Sequence, residues 1–102
     1  MPRSKLATPA KLDLVEVLEY LLEQAGGRVA LKIERDLRLA FRTLAGNPGL
    51  GHKRPDITPK PLLFSTVGSY VVCYRADADA VVFVAILHGS RDIGSVLMDR
   101  PI

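Results

Sequence analysis

Apolar and polar positions recur with helical spacing in the first half of the chain. Residues 8–25 are predicted to form one helix, because Thr8 can cap its first amides, Pro9 suits its first turn and two glycines follow it. At about 100° per residue its apolar face comprises Leu14, Val15, Val17, Leu18, Leu21, Leu22 and Ala25. The opposite face carries Asp13, Glu16, Glu19 and Glu23, and Leu12 and Tyr20 fall outside the apolar arc.

A second helix is predicted over residues 28–45. Its narrower apolar stripe comprises Val29, Ile33, Leu37, Ala40, Phe41 and Leu44, and its opposite face carries Arg28, Lys32, Arg35, Arg38 and Arg42. Because only Gly26 and Gly27 separate the helices, they are expected to fold back as an antiparallel hairpin. Leu31 and Leu39 lie on the basic face, where a lone domain gains nothing by exposing them.

The second half of the chain has the pattern of strands. Prolines and glycines make residues 46–61 a loop, and strands are predicted at residues 62–67, 70–75 and 81–88, with a weaker one at residues 3–7. The strand at residues 81–88 is apolar on both faces, so it is expected to be central in the sheet and covered on both sides. The order strand, helix, helix, strand, strand, strand predicts an α+β fold.

The composition limits the class of protein. A chain of 102 residues is expected to form a single domain, and 48% hydrophobic residues exclude a disordered chain. No apolar run approaches the ~20 residues that cross a bilayer, and residues 1–12 lack the apolar block of a signal peptide. The single Cys73 fits a reducing cytoplasm, and two histidines argue against a structural zinc site. The net charge of +3 permits an acidic partner without demanding nucleic acid.

One group of residues has the composition of a nucleophilic triad. His88, Ser90 and Asp92 lie within five residues of one another at a strand end. A triad needs members that converge from a fixed scaffold, and no nucleophile elbow surrounds Ser90. A polar turn with an Arg91–Asp92 pair is therefore expected.

Two further patterns concern phosphate binding. The glycines within residues 46–51 follow a helix, whereas phosphate-binding loops precede one, so a structural turn is expected there. A basic run at residues 52–54, together with Lys60, Arg75 and Arg91, is compatible with RNA phosphates or with a solvated loop. No aromatic residue lies within the run, so stacking on bases is not indicated.

The order of several short motifs resembles a known family. These motifs are Asn-Pro-Gly-Leu-Gly at residues 47–51, Arg-Pro-Asp-Ile at residues 54–57, Tyr-Arg at residues 74–75 and Leu-His-Gly-Ser-Arg-Asp-Ile at residues 87–93. With residues 10–14 on the first helix, they resemble the ParE branch of the RelE/ParE superfamily of toxin–antitoxin toxins.

The resemblance implies a fold, a compartment and a partner. It implies a cytoplasmic protein built as a helical hairpin on a small, mainly antiparallel sheet. No cofactor and no metal are expected. The implied partner is a ParD-like antitoxin with a ribbon-helix-helix DNA-binding domain, so this chain alone is not expected to bind specific DNA. The antitoxin would wrap the toxin with an amphipathic helix and extended chain. The side chains expected to meet it are Leu12, Tyr20, Leu31, Arg35, Arg38, Leu39 and Arg42.

The resemblance also implies a target, DNA gyrase, which ParE-type toxins inhibit by binding rather than as enzymes. The polar groups expected to contact it are Arg54, Asp56, Arg75, His88, Arg91 and Asp92, with the segment after Ile93. A purely structural role stays open for two of them, because Arg75 or Arg91 can pair with Asp56 or Asp92.

A RelE-type ribonuclease that cleaves ribosome-bound mRNA is the first alternative. In that case Arg54, Arg75 and Arg91 would hold phosphates and His88 would transfer protons. Against it, the last ten residues contain neither the Tyr nor the His that such toxins usually place there.

A decayed, non-toxic module that keeps only the antitoxin interface is the second alternative. Leu62 stands where ParE-like sequences commonly carry an arginine. Lys60 can supply a point charge nearby but not the bidentate fork of a guanidinium.

Overall fold

The computed structural model describes residues 3–101, and every predicted helix and strand lies within one residue of its expected bounds. The elements are β1 (Arg3–Leu6), α1 (Thr8–Ala25), α2 (Gly27–Gly46), β2 (Leu63–Val67), β3 (Tyr70–Ala76), β4 (Ala80–His88) and α3 (Ile93–Met98). The α+β prediction and its element order are confirmed. The short helix α3 is an additional element, since the sequence pattern predicts neither a helix nor a strand after β4.

The sheet has the strand order β1-β4-β3-β2. β3 pairs antiparallel with β2 and β4, and β1 pairs parallel with β4 through residues 80–83. The mainly antiparallel sheet is therefore confirmed, as is the interior position of β4. Because β1 ends at Leu6, the part of β4 beyond Phe83 is an edge of the sheet on that side.

A bulge in β4 explains why this strand is apolar throughout. Cys73 pairs with Ala85 and Tyr74 pairs with Phe83, so Val84 is an extra residue in the ladder. The bulge directs Val84 and Ala85 to the same face of the sheet. Strict alternation of side chains is lost at this point, and both faces of β4 are filled with apolar groups.

Each face of the sheet has its own core. On the first face the hairpin packs Leu14, Val17, Leu37, Phe41 and Leu44 against Tyr70, Val72, Tyr74, Val81, Phe83 and Ile86. On the second face α3 and Leu62 of the loop before β2 pack on the sheet residues Phe64, Cys73, Val82, Val84, Ala85 and Leu87. Burial raises the pKa of the Cys73 thiol to about 12, so it packs there as a protonated, weakly polar group.

The helical hairpin forms as expected, with a different start. Only Gly26, at φ +91°, separates α1 from α2, and the two helices pack against each other. The prediction that Thr8 caps α1 is wrong, because Ala7 is the N-cap residue and no side chain bonds the first amides. The extended backbone of Ala7 leads directly out of β1, so Thr8 is already helical.

The buried face of α1 is rotated from the predicted one. Val15, Leu22 and Ala25 are exposed, whereas Asp13, expected on the polar face, is only 6% exposed. The cause is that α1 packs on β4 as well as on α2, so the side of the helix that bears Asp13 faces the sheet edge. There the Asp13 carboxylate accepts the amide of Ile86 at 3.0 Å.

Tyr74 fixes the turn after α2. Its hydroxyl accepts the amide of Gly51 at 2.9 Å and donates to the carbonyl of Pro48 at 2.6 Å. A Cβ at Gly51 would overlap the Tyr74 ring, so this position requires glycine. The glycines of residues 46–51 therefore form the structural turn that the sequence predicts.

Candidate functional site

The loop between α2 and β2 presents an ion-paired arginine and aspartate. The Arg54 Nη2–Asp56 Oδ2 distance is 2.8 Å and the Nε–Oδ1 distance is 3.0 Å, which is a bidentate pair. This hydrogen bonding raises the pKa of Arg54 and lowers the pKa of Asp56. Both side chains are solvent-exposed, so the pair presents two fixed charges at the surface.

The chain after β4 returns to this same loop. Gly94 at the start of α3 packs so closely that a Cβ there would lie 2.8 Å from the Ile57 carbonyl oxygen. A groove of about 300 Å³ runs between the two segments and is lined by Asp56, Ile57, Gly89, Arg91, Asp92, Ile93 and Gly94. Arg54 lines the adjoining groove, which shares Ile57, Gly89 and Ile93. We refer to Arg54, Asp56, Arg91 and Asp92 as the polar cluster.

Asp92 begins α3. Its carboxylate accepts the amide of Ser95 at 3.2 Å and the hydroxyl of Ser95 at 2.9 Å. These hydrogen bonds lower the pKa of Asp92. The expected Arg91–Asp92 ion pair does not form within residues 3–101, because Ser95 satisfies the carboxylate instead.

His88 lies on the other face of the sheet from Arg54. Its ring meets Tyr70 edge-on, with centroids 5.5 Å apart, and Tyr70 belongs to the core under the hairpin. There His88 lines a groove of about 400 Å³ with residues of α1, including Asp13, Glu16 and Tyr20. The predicted target contact His88 is thus separated from most of the polar cluster by the sheet, although Arg91 borders both grooves.

The triad residues are not arranged as a relay. Ser90 Oγ lies 2.7 Å from His88 Nδ1, and the Ser90 amide donates to the same nitrogen at 3.1 Å. Asp92 is bonded to Ser95 and not to the imidazole. The three residues therefore form a polar turn, as the sequence predicts. The Arg91–Asp92 pair that was expected in this turn is not part of it.

Arg75 stands apart from the other predicted target contacts. It pairs with Val82 near one end of the β3–β4 ladder, whereas Tyr70 pairs with His88 at the other end. Five residues of strand separate the two ends, or roughly 17 Å. The Arg75 side chain donates to Asp77 at 3.2 Å, so the expected partners Asp56 and Asp92 are wrong for this arginine.

His52 is a site residue that the sequence does not single out. It forms an isolated bridge with Phe64, in which each backbone amide bonds the other carbonyl, at 3.0 and 2.8 Å. This pairing brings His52 into the groove of about 370 Å³ that Arg54, Ser65 and Thr66 also line. The only local signal is its membership of the basic run at residues 52–54.

Residues 3–101 contain no group of three His, Cys, Asp or Glu side chains placed to hold a metal ion. In the same span, no helix has the length and apolar character of a membrane-crossing segment.

Comparison with known proteins assigns the family. The family model for "ParE toxin of type II toxin-antitoxin system, parDE" matches residues 5–93. The chain is a member of the ParE toxin family. Among solved structures, it is similar to one described as "Chromosomal ParDE TA system from P. aeruginosa", with a TM-score of 0.74 and 20% sequence identity, over 86% of this chain and 96% of that chain. At that identity the likeness concerns the fold. No curated protein matches the chain.

Leu62, the position at which the sequence resemblance leads one to expect an arginine, is a core residue. Leu62 is fully buried beneath α3, in the same core as Ile93 and Leu97. Lys60, the charge expected to substitute, donates its Nζ to the carbonyls of Leu97 at 2.8 Å and Arg100 at 3.3 Å. Lys60 thus holds the end of α3 in place of presenting a charge to a target.

The predicted antitoxin contacts do not form one surface. Leu31 lines a groove on the outer side of the hairpin, between α1 and α2. Leu39 lines a different groove, between α2 and β2, and Tyr20 lines the groove of His88. The contact role of Leu12, Tyr20, Leu31, Arg35, Arg38, Leu39 and Arg42 stays a prediction, and these side chains cannot all meet a single helix.

Proposed function

We propose that this ParE-family chain is the toxin of a type II toxin–antitoxin pair and acts in the cytoplasm by binding and inhibiting DNA gyrase. Replication then stalls without chemistry at the toxin, and a ParD-like antitoxin with a ribbon-helix-helix domain neutralises it. The whole chain acts as one domain, and sequence-specific DNA binding is left to the antitoxin. Family membership over residues 5–93 supports this proposal.

The polar cluster supports a binding role for the target-facing end. Arg54 and Asp56 are held as a bidentate pair, and Asp92 is held by Ser95, so the cluster presents charges of both signs in fixed positions. Preorganised charges of this kind favour recognition of a charged protein surface. We therefore assign the target contact to the cluster. Arg75 is left out because it lies at the far end of the ladder, and His88 is left out because it lies on the other face of the sheet.

The test follows DNA and protein synthesis separately by pulse-labelling after induction without antitoxin, and then measures supercoiling by purified gyrase. We expect DNA synthesis to fall first, and Arg54→Ala and Arg91→Ala to weaken gyrase inhibition at least tenfold. Arg75→Ala is the matched control, because Arg75 is also paired with an aspartate two residues later. An equal loss of gyrase inhibition in all three variants contradicts the assignment. If induction changes neither DNA synthesis nor protein synthesis, the chain is a decayed module that keeps only the antitoxin interface.

A ribosome-dependent mRNA endonuclease is the second candidate, favoured by one observation. His52 and Arg54 line the same groove, where an imidazole and the Arg54 Nη1, which Asp56 does not engage, border the space for one phosphodiester. His88, the proton-transfer residue suggested by sequence, faces the hairpin with Tyr70. If translation stops before replication, cleavage of ribosome-bound mRNA should be lost in His52→Ala and kept in His88→Ala.

A further inference from the structure

Three exposed arginines form a line along one side of α2. Arg28, Arg35 and Arg42 follow one another at intervals of seven residues, which is close to two helical turns, so their side chains leave the helix in nearly the same direction. At 1.5 Å of rise per residue this line is about 21 Å long. Within residues 3–101, none of the three arginines takes part in an ion pair. We refer to them as the basic ridge.

The other charged side chains of α2 compensate one another. Lys32 pairs with Asp36 at 2.8 Å, and Arg38 pairs with Glu34 at 3.3 Å, each across one turn of the helix. The positive charge that remains on α2 is therefore that of the basic ridge. Its three charges equal the formal net charge of the whole chain, which is +3.

The basic ridge points away from α1 and from the core. Ala30 of α2 borders Leu18 of α1 in the groove between the two helices, and Leu37 packs in the core beneath the hairpin. At 100° per residue, Arg35 lies about 140° around the helix from Ala30 and about 160° from Leu37. The ridge therefore lies on the solvent side of α2, where a large partner can approach it.

The spacing of the ridge suits a long polyanion better than a single anion. Successive arginines are about 10 Å apart along the helix, so two of them do not share one phosphate or carboxylate. Duplex DNA carries one negative charge per about 1.7 Å of its axis, so a line of about 21 Å runs beside roughly twelve phosphates. Phe41, the single aromatic residue of α2, is only 6% exposed, so α2 offers the bases of a single strand no stacking partner.

We propose that the basic ridge of α2 binds the phosphate backbone of duplex DNA, independently of base sequence. Each guanidinium donates two parallel hydrogen bonds to one phosphate and releases condensed counterions from the duplex. Contacts of this kind carry no sequence information. The inference goes beyond inhibition of gyrase, which is assigned to the polar cluster, because it gives the chain a second ligand on a different element.

An acidic protein segment fits the ridge less well. The exposed apolar neighbours of the ridge, Leu31 and Leu39, line two different grooves, one facing α1 and the other facing β2. The ridge between them is charged, whereas the buried centre of a protein–protein interface is depleted of charged residues. Interfaces with DNA are polar and positively charged throughout, which agrees with the ridge.

The test measures binding of a fluorescent DNA duplex by anisotropy at several salt concentrations. For three phosphate contacts, log K should fall against log [salt] with a slope of about −2.7, which means about fortyfold weaker binding at 200 mM than at 50 mM salt. Arg35→Gln/Arg42→Gln should reduce the slope to about −0.9. Arg3→Gln/Lys5→Gln is the matched control, because it removes the same charge from β1. Leu6 packs beneath the hairpin, so these two side chains point to the opposite face of the sheet.

A second control separates the ridge from the ion pairs beside it. Glu34→Gln/Arg38→Gln removes one ion pair and keeps the net charge, so the slope should stay at the wild-type value. All the substituted side chains belong to the surface of the molecule, and circular dichroism should show the wild-type helix content in each variant.

Three outcomes overturn the inference. A wild-type slope in Arg35→Gln/Arg42→Gln excludes the ridge, and an equal reduction in Arg3→Gln/Lys5→Gln shows that only the net charge matters. Binding of polyglutamate as tightly as the duplex assigns the ridge to an acidic protein segment. The proposed function is tested separately, since the anisotropy assay contains no gyrase. Inhibition of supercoiling without any binding of the duplex overturns only the ridge, and binding of the duplex without inhibition overturns only the gyrase proposal.

Discussion

Arg100, in the segment after α3, forms a two-point ion pair with Asp13 of α1 across 87 residues of sequence. Arg100 Nη2 donates to Asp13 Oδ1 at 2.7 Å, and Nη1 bonds both Asp13 Oδ2 and the carbonyl of Val84, the latter at 2.9 Å. Asp13 also accepts the amide of Ile86. The pair thus satisfies backbone groups of β4 where β1 no longer covers its edge, and it ties the end of the chain to the hairpin.

Removing one partner of this pair should strongly destabilise the fold. Arg100→Met leaves the carboxylate of Asp13, which is 6% exposed, without its cation, and an uncompensated buried charge costs about 3–5 kcal/mol. Urea denaturation should show a loss in this range. Lys32→Met, which breaks an exposed pair with Asp36, is the control and should cost less than about 0.5 kcal/mol. Equal effects of the two variants would contradict a structural role for Arg100.

An arginine at position 62, the residue expected there from the sequence resemblance, should unfold the second core and should not create a better toxin. Leu62→Arg places a guanidinium at a fully buried position under α3 and should cost more than about 3 kcal/mol of unfolding free energy. Leu12→Arg, at a side chain that is 60% exposed, should change it by less than about 0.5 kcal/mol. A stable Leu62→Arg protein with raised toxicity would mean that α3 leaves this face readily.

The helices and central strand are predictable from sequence because their signals are local. The apolar stripe of α2 recurs along the helix from Val29 to Leu44, and β4 is apolar from Val81 to Leu87. Patterns of this length identify the element by themselves. The bulge at Val84 cannot be recognised in such a run. Because the residues on both faces of the strand are apolar, the sequence pattern does not show where the alternation of side chains is interrupted.

The elements that define the site are predictable only in part. Helix α3 spans six residues, too few for a helical period to stand out, and its position depends on contacts with Lys60 and Ile57 far away in sequence. Asp13 has the spacing of a polar-face residue, and its burial depends on a partner 87 residues later. The four residues of the polar cluster are recognisable as motif positions, whereas the separation of Arg54 from His88 depends on which face of the sheet each side chain occupies.

The cap of α3 should make stability depend on pH below neutrality. Hydrogen bonds from Ser95 lower the pKa of Asp92 below its usual value, so its ionised form contributes stability at neutral pH. This contribution is lost as the pH falls below about 4 and through the folded-state pKa. Asp92→Ala should therefore have a lower free energy of unfolding than the wild type at pH 7. This difference in free energy should disappear as the pH is lowered.

Urea titrations at several pH values measure this difference. Ser95→Ala is the matched control, because it removes the hydroxyl donor and keeps the amide donor to the same carboxylate. It should reproduce part of the Asp92→Ala effect. A gap between wild type and Asp92→Ala that is independent of pH would show that the charge of the cap is irrelevant.

The turn after α2 should tolerate a methyl group at one glycine and reject it at another. Gly51→Ala forces a Cβ into the Tyr74 ring and should cost about 1–3 kcal/mol, because Tyr74 is fully buried and cannot give way. Gly46→Ala, at the end of α2, meets no atom within 4 Å and should leave stability equal or raise it by up to about 1 kcal/mol. Thermal and urea unfolding of the two variants measures the contrast. Equal stability would contradict the anchoring of this loop by Tyr74, since the hydroxyl could then move away without loss of its bonds to Gly51 and Pro48.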